Sequence, residues 1–366
     1  MLSKVKNILF YILTGATLTT EVLLVLVAYS DHLNPVDHPV LACAGMAFPF
    51  VLLFNVLLLV VWLFLKWRKA WMPLLGFLLA YPSIRVYMPL HFSQEPPEGS
   101  IKVVSYNVAC YGHRKNDQDP QLAIFSYLQQ HQADIVCLQE DVSLSGKAKD
   151  SLLRLFPYND TIHINRPSSP LINALGVHSR FPIIRKERIP YESLANGSAA
   201  FYLQVGQDTV IVVNNHLEST HLSVTDRQRY TDIIQGTMNS HEAQAETRML
   251  LGKLSAAMVK RAPQADAVRR YIEQHSRYPI IVCGDFNDTP VSYTRRTIAD
   301  GLLDCFVESG NGFGFSFSQK GFFVRIDQLM CSRHFVPYGC YVDDKIEASD
   351  HYPVVGWLKR LNPEAP

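Results

Sequence analysis

Polar side chains that could do chemistry stand at the ends of several short apolar runs. Glu140 follows "DIVCLQ", His216 follows "VIVVNN" and Asp285 follows "IIVCG". Charges at the ends of buried strands are costly unless they are paired, hydrogen-bonded or bound to metal. Several such residues in one chain therefore predict one site at which they converge. The candidate residues are Asn107, Glu140, His216, Asp285, Asn287, Asp327, Asp350 and His351.

These candidates combine carboxylate and amide oxygens with two imidazoles and include no thiolate. Oxygen-rich ligand sets suit hard divalent cations such as Mg²⁺ or Mn²⁺. Beside such a cation, Asp and His side chains can activate water and stabilise a leaving oxygen, as cleavage of a phosphate ester requires. The residue types therefore predict metal-dependent phosphoester hydrolysis.

The elements that must position these residues alternate between short β-rich runs and helical patterns. Runs such as "IKVVSYNV", "TVIVVNNHLE" and "YPIIVCGDFN" predict strands, and residues 120–131 predict a helix between two of them. Residues 93–100, "SQEPPEGS", predict a linker, and residues 222–260 predict a helical insertion beside the site. Pro263 either starts a further helix or kinks this one. The pattern indicates stacked sheets with outer helices.

The motifs "SYN", "LQE", "NHL", "GDFND", "RID" and "SDHYPV" occur in this order between about residues 100 and 360. Their order resembles the endonuclease/exonuclease/phosphatase superfamily, which includes deoxyribonuclease I, abasic-site exonucleases, inositol polyphosphate 5-phosphatases and bacterial neutral sphingomyelinases. One motif alone could be a turn or a satisfied polar residue. All six together imply the α+β fold of that superfamily, a four-layer αββα sandwich over residues 101–361.

The resemblance also implies roles for the candidate residues. Glu140 would bind the divalent metal, with help from Asn107 and Asp350. The implied cofactor is Mg²⁺ or Mn²⁺.

The remaining five residues would carry catalysis. Asp285 would orient and deprotonate the attacking water, and Asn287 would hold that water or a phosphate oxygen. His216 would contact the scissile phosphate. His351, oriented by Asp327, would stabilise developing charge or act as general acid.

The first 92 residues have a different composition and predict an all-α membrane region of about three helices. Segments 8–29, 40–65 and 72–90 are each apolar and approach the roughly 30 Å of a bilayer core at about 1.5 Å per residue. Glu21 interrupts the first segment, and prolines interrupt the third. A signal peptide is the alternative for the first segment, although no small-residue cleavage site follows it.

Basic residues predict the orientation of this region. Lys4 and Lys6 precede the first segment, and Lys66, Arg68 and Lys69 follow the second, whereas "SDHLNPVDHP" between them has no Lys or Arg. Under the positive-inside rule, three crossings place the catalytic domain outside the cytoplasm. If 72–90 does not cross, the domain faces the cytoplasm.

The balance of charge bears on the substrate. The chain has 34 basic and 33 acidic residues, a formal net charge of +1, so it lacks the basic excess that is typical of nucleic-acid binding. We therefore expect a membrane-anchored phosphoesterase, with a lipid head group or small phosphoester preferred as substrate. The alternatives are a membrane-tethered nuclease and a non-catalytic sensor of a phosphorylated ligand.

Other residues leave two interpretations open. Cys305, Cys331 and Cys340 could form a disulfide in an oxidising compartment, and otherwise the cysteines predict buried thiols. Arg180 and Arg325 could orient phosphate or form structural salt bridges, whereas Arg295 and Arg296 could contact substrate or belong to a solvated helix face.

Overall fold

The computed structural model describes residues 2–92, 94–112, 119–142, 146–164, 173–193, 195–220, 222–319 and 322–361. Its N-terminal region is helical. The helices of this region are α1 (Leu2–Ala28), α2 (Pro39–Ala42), α3 (Phe48–Lys66), α4 (Trp71–Leu79) and α5 (Tyr81–Tyr87). Short 3-10 turns occupy Ser30–His32, Cys43–Ala47 and Trp67–Lys69.

Two helical segments among the described residues are long and apolar enough to cross a membrane, Lys6–His32 and Pro39–Lys69. The prediction of a third continuous helix over 72–90 is wrong. That segment divides into α4 and α5, with Ala80 between them and Pro82 in the first turn of α5. The break follows because proline has no backbone N–H and its ring disturbs the preceding turn.

The broken segment packs along the second half of α1. Lys69 Nζ lies 2.6 Å from Thr14 Oγ1 near the middle of α1, and Ser83 Oγ donates to the Ala28 carbonyl at 2.6 Å at the C-terminal end of α1. Midway, Glu21 is buried against Gly76, where the missing side chain leaves room for it. The pair α4–α5 therefore runs parallel to α1 and ends at the opposite end from Lys69.

The rest of the chain contains two six-stranded sheets and a short hairpin within the described residues. In chain order the strands are β1 (Ile101–Asn107), β2 (Ile135–Gln139), β3 (Tyr158–His163), β4 (Ala174–Ser179), β5 (Ile183–Ile189), β6 (Gly197–Val205), β7 (Asp208–His216), β8 (Ile280–Asp285), β9 (Leu302–Asp304), β10 (Phe317–Gln319), β11 (Phe322–Val324), β12 (Asp327–Ser332), β13 (Phe335–Val342) and β14 (Val354–Arg360). The helices are α6 (Pro120–His131), α7 (Gly146–Leu155), α8 (Val224–Gln235), α9 (Ser240–Gln274), α10 (Tyr293–Ala299) and α11 (Cys305–Ser309).

The strand orders are β13-β14-β1-β2-β4-β3 in one sheet and β5-β6-β7-β8-β12-β9 in the other, while β10 and β11 form the hairpin. Alternate residues point to opposite faces of a strand, so each sheet buries both faces. On β1, Val103 joins the core between the sheets, and Val104 packs with Leu128 of α6. On β7, Val212 joins the same central core, and Val213 packs with Val268 of α9. This confirms the four-layer αββα sandwich.

Helices α8 and α9 occupy the stretch between β7 and β8. Ser223 and Asp226 form a reciprocal capping box at the start of α8, and Lys253 of α9 reaches both carboxylate oxygens of Asp226 at 2.7 Å. Pro263 lies inside α9. No disulfide joins Cys305, Cys331 and Cys340, which are buried thiols.

The N-terminal region packs directly onto the sandwich. A side chain at Gly45 would place its Cβ 2.1 Å from the Val291 carbonyl oxygen, so the backbones approach as closely as glycine allows. The buried guanidinium of Arg325 donates to the Val86 carbonyl and, at 2.8 Å, to the Phe313 carbonyl. The helical region and the sandwich therefore share a buried interface.

Candidate active site

Strand ends bring the predicted residues to one edge of the sandwich. In the parallel pair β7–β8, His216 lies opposite Asp285, and in the parallel pair β1–β2, Asn107 lies opposite the residue that precedes Glu140. The carboxyl ends of parallel strands share an edge, and the two sheets face each other. Asn107 Nδ2 accordingly lies 3.1 Å from Asp285 Oδ2 and 3.4 Å from Glu140 Oε1.

Asp285 lies at the centre of the group and is 1% exposed. Its Oδ2 is 3.7 Å from Nε2 of His216 and 3.7 Å from Nε2 of His351. Burial raises the pKa of Asp285, against the lowering effect of the His351 charge. Burial therefore makes this carboxylate a stronger base than a solvated one.

The geometry of "GDFND" explains how Asp285 and Asn287 are presented. Gly284 has a φ of 123°, and a Cβ there would lie 2.0 Å from the Asn215 carbonyl oxygen, so no other residue fits. Asn287 has a φ of 53°, donates its backbone N–H to Asp285 Oδ1 at 2.8 Å and donates from Nδ2 to the Leu217 carbonyl. The turn thus fixes Asp285 from its own backbone.

Asp288, the last residue of that motif, has a structural contact. Its Oδ2 lies 3.3 Å from Nε of Arg261 and accepts from Thr294 Oγ1 at 2.8 Å. Arg261 is 1% exposed and also donates to the Glu218 carbonyl at 2.9 Å. These contacts fix α9 against the turn that carries Asp285 and Asn287.

His351 is held by Asp327. Its Nδ1 lies 2.8 Å from Asp327 Oδ2, and the Phe317 ring meets the imidazole edge-on at 5.0 Å. Burial disfavours the charged ring, but the Asp327 and Asp285 carboxylates outweigh that effect and raise the pKa of His351 to about 10. The ring is therefore an imidazolium with Nε2 directed towards Asp285.

His216 is oriented by an amide. Asn173 Nδ2 donates to the Ala195 carbonyl at 2.6 Å, which identifies it as the nitrogen, and the same atom lies 3.0 Å from His216 Nδ1. Nδ1 must therefore accept, so the proton of the neutral ring is on Nε2. His216 Nε2 faces Asp285 and, at 3.9 Å, Glu140 Oε1.

Glu140 and Asp350 place two further carboxylates at the site. Glu140 has a φ of 54°, an uncommon conformation for a side chain larger than glycine that clusters at functional sites. Cys110 Sγ lies 3.3 Å from its Oε2. Asp350 Oδ2 accepts from Gln319 Nε2 at 2.9 Å.

A cavity of about 600 Å³ contains these groups. The predicted residues that line it are Asn107, Glu140, His216, Asp285, Asn287, Asp350 and His351. Asp327 is the predicted site residue that does not line it, since it lies behind His351. All eight candidates therefore belong to one assembly, seven at its surface and one in support.

Excess negative charge makes the assembly suited to a cation. Carboxylates of Glu140, Asp285 and Asp350 line the cavity, and the buried Oδ1 of Asp327 has no hydrogen-bond partner in the described structure. Asp285, Asp327 and His351 offer ligand atoms within 4.8 Å of one another. The donor types fit a hard divalent ion.

Sequence comparison identifies the family. A profile described as "Endonuclease/Exonuclease/phosphatase family" matches residues 104–351, more than half of the chain. The chain belongs to the Endonuclease/Exonuclease/phosphatase family. Members of this family are hydrolases of phosphoester bonds, and they generally use divalent metals. Residues 9–87 match a "Domain of unknown function (DUF8431)". Comparison with curated protein sequences finds no match.

One solved structure supports the fold, and two others are similar to this chain at lower TM-scores. The human Nocturnin catalytic domain has 16% identity and a TM-score of 0.51, with 73% of this chain and 97% of that chain covered. A humanized D. rerio TDP2 has 14% identity and a TM-score of 0.49, with coverages of 71% and 99%. A Bacteroides thetaiotaomicron member has 17% identity and a TM-score of 0.45, with coverages of 72% and 98%.

The four arginines considered as possible substrate contacts lie outside the cavity. Arg295 pairs with Asp304 at 2.6 Å, Arg180 lies 3.6 Å from Asp134, and Arg325 is buried. Arg296 is half exposed. None of these four arginines lines the cavity.

Sequence reasoning missed Arg227 of α8, which does line the cavity. Arg227 donates to Gln319 Oε1 and lies over the Phe317 ring at 5.4 Å, and Gln319 in turn donates to Asp350. No local pattern distinguishes Arg227 from the other charges on its helix. Its role depends on the tertiary contact between α8 and the hairpin β10–β11.

Proposed function

We propose that this protein is a membrane-anchored, divalent-metal-dependent phosphoesterase that hydrolyses a phosphodiester or phosphomonoester, with a lipid-type or small substrate preferred. The observation that carries the proposal is the position of Asp285. This buried carboxylate faces a cavity of about 600 Å³ between the Nε2 atoms of His216 and His351, each 3.7 Å away. Positioned acid and base groups around one cavity are what phosphoester hydrolysis requires.

In this mechanism Asp285 orients the attacking water and accepts its proton. The backbone N–H of Asn287 fixes the other carboxylate oxygen, and the Asn287 side chain lies in the cavity where a water or phosphate oxygen would bind. His216 donates from Nε2 to a non-bridging phosphate oxygen, because Asn173 engages its Nδ1. These contacts place the water and the phosphorus on one line of approach.

His351 acts on the leaving side. Its imidazolium stabilises the charge that develops on the leaving oxygen, or it donates the Nε2 proton to that oxygen. Asp327 holds Nδ1 and so keeps Nε2 towards the cavity. The leaving group departs as an alcohol, and the phosphate keeps the oxygen of the water.

Glu140 and Asp350, with Asn107, would hold Mg²⁺ or Mn²⁺. We favour these carboxylates over Asp327, because both line the cavity and Asp327 Oδ2 is already bonded to His351. When bound, the cation would offset phosphate charge and polarise its oxygens. Asn107 presents Nδ2 to the carboxylates, so its service as an oxygen ligand requires a flip of the amide.

Exposure of the N-terminal helices supports a membrane anchor. In the apolar stretch of each candidate span, at most 22% of the residues are buried within the protein. Large apolar side chains such as Phe64 and Leu26 face outward from α3 and α1. A core helix of a soluble protein would bury such side chains, whereas a bilayer solvates them.

The arrangement of α4 and α5 supports placement of the catalytic domain outside the cytoplasm. Lys69 belongs to the basic residues that mark one end of the bundle and reaches back to Thr14 near the middle of α1, whereas α5 ends beside Ala28 at the other end. The positive-inside rule assigns the basic end to the cytoplasm. In our proposal the paired short helices complete a third passage across the bilayer.

The substrate preference follows from location and charge. A phosphoester lipid is available to a domain that is anchored at a bilayer surface, and the chain has no basic excess for a polyanion. The alternative is a membrane-tethered nuclease, which the family membership supports. A structure of the human Nocturnin catalytic domain holds a sulfate anion, which is tetrahedral like phosphate.

The test uses the full-length protein in detergent with Mg²⁺ and a panel of phospholipids, small phosphoesters and plasmid DNA. We expect hydrolysis of at least one phosphoester, and Asp285→Ala and His351→Ala each to lower kcat by about 10²-fold or more. Asp300→Ala, a change at an exposed carboxylate remote from the cavity, is the control.

Two results would change the proposal. Cleavage of plasmid DNA that falls steeply with added salt, with no turnover of lipid, would establish the nuclease alternative. Binding of phosphoesters without hydrolysis of any member of the panel would indicate a sensor and refute the catalytic assignment.

A further inference from the structure

We infer that the N-terminal helical region is part of the substrate site and that, with α8 and α9, it binds the hydrocarbon tail of a lipid phosphoester. The inference rests on the proposed function and specifies its substrate. The cavity that contains Asp285 has a largely apolar wall from two regions that are far apart in sequence. The apolar lining residues of these regions include Met46, Pro49, Phe50, Ile234, Leu254 and Met258.

The two parts of this wall are fixed to each other. Cys43 Sγ lies 3.6 Å from Met258 Sδ, and the same cluster includes Met46 and Leu254. Next to it, Gly45 meets the Val291 carbonyl so closely that no side chain fits. The wall is therefore a packed junction between the helical region and α9, and its shape is set by the fold.

Phe50 connects this wall to the proposed membrane. It lies in the first turn of α3, within the candidate span Pro39–Lys69, and is 59% exposed. The same residue lines the cavity that contains Asp285. A tail that leaves the bilayer beside Phe50 thus enters the space in which the phosphoester would be cut.

The residues that line the cavity favour binding of a hydrocarbon tail over binding of a polyanion. Among the described residues, the arginines that line the cavity are Arg227 and Arg261, and no lysine does. Arg261 is engaged with Asp288, and Arg227 with Gln319. Apolar walls bind hydrocarbon, and a volume of about 600 Å³ lies within the usual range for a small-ligand site. The polar catalytic groups and the apolar wall together match an amphiphile.

The first experiment measures kcat/KM of the full-length protein in Mg²⁺ on water-soluble phosphodiesters with one leaving group and alkyl tails of increasing length. Each buried methylene should raise kcat/KM by up to about fourfold until the cavity is filled. Hydrolysis without dependence on tail length would overturn this inference and leave the proposed function intact. Absence of hydrolysis for every member, including the one without a tail, would refute the proposed function itself.

The second experiment compares matched variants on two helices. Ile234→Asp and Phe50→Ser alter the wall, and we expect each to reduce the ratio of kcat/KM between the longest and shortest tails at least tenfold. Val224→Asp on α8 and Phe54→Ser on α3 change exposed apolar residues that do not line the cavity, and they should keep the ratio. An equal loss of this ratio in a wall variant and its control would overturn the tail site. Competitive inhibition by long-chain alcohols, combined with turnover that does not depend on tail length, would overturn it as well.

Discussion

Asp327 and Asp285 lie directly opposite each other on the antiparallel strands β12 and β8, yet their carboxylates have different surroundings. Asp285 lines the cavity, whereas Asp327 is bonded to His351 Nδ1 at 2.8 Å and lies behind that ring. Both histidine Nε2 atoms then face Asp285. In the proposed mechanism, one strand pair thus supplies the base and the residue that orients the acid.

Asp327→Asn should lower kcat by about 10²-fold or more with the fold retained, because the amide cannot hold His351 as an imidazolium. The loss should be larger for an alkyl leaving group than for p-nitrophenolate, which needs no proton. Steady-state rates on the two substrates check this. Equal losses on both would show that His351 does not protonate the leaving oxygen.

Removal of divalent metal should abolish turnover, because the carboxylates of Glu140, Asp285 and Asp350 face one cavity and would then repel the negative charge of the phosphate. Activity after treatment with a chelator should return with Mg²⁺ or Mn²⁺. Glu140→Gln should raise the Mg²⁺ concentration for half-maximal activity about tenfold or more. Glu273→Gln, at an exposed carboxylate on α9, is the control, and a metal requirement unchanged in Glu140→Gln would exclude Glu140 as a ligand.

Gly284→Ala should destabilise the protein by about 3 kcal/mol or more, since the new Cβ would lie 2.0 Å from the Asn215 carbonyl oxygen at a φ of 123°. Gly206→Ala is the matched control, with a φ of 62° and no atom within 4 Å of the added Cβ, and should cost only about 1 kcal/mol. Thermal unfolding of both variants measures the difference. Equal costs would mean that the β7–β8 contact can relax.

The side of the membrane on which the sandwich lies is testable with reporter proteins fused to the C-terminus of the full-length protein. The fusions should carry Asp285→Ala, so that the protein's own hydrolysis does not add to the phosphatase signal. The alkaline phosphatase fusion should be active and the green fluorescent protein fusion dark, because α4 and α5 lead away from the basic end of the bundle. Bright fluorescence with inactive phosphatase would place the domain in the cytoplasm.

The sandwich could be predicted from the sequence because it depends on local patterns, and the same patterns predicted that the candidate residues would meet. Apolar runs that end in Asn107, Glu140, His216 and Asp285 indicate strands with a common functional edge, and the structure brings these residues together. The amide orientation of Asn107 was not predictable, because it depends on hydrogen bonds to two other strands.

The contact between the helical region and the sandwich could not be predicted from the sequence either. Contacts such as Gly45 with Val291 and Cys43 with Met258 join residues that are more than 200 positions apart and leave no periodic signal. The break at Pro82 was visible in the sequence, but the apolar length of 72–90 favoured a continuous helix.

The hydrogen bond from Arg325 to the Val86 carbonyl has a practical consequence for protein production. Arg325 is buried in the sandwich, and Val86 belongs to the N-terminal region, ahead of the predicted linker over residues 93–100. Removal of the N-terminal region at that linker would be the obvious route to an enzyme that needs no detergent. It would also remove the acceptor of a hydrogen bond from the buried guanidinium, which should lower the stability of the fold by about 1–3 kcal/mol. Crystallisation and screening should therefore begin with the intact polypeptide.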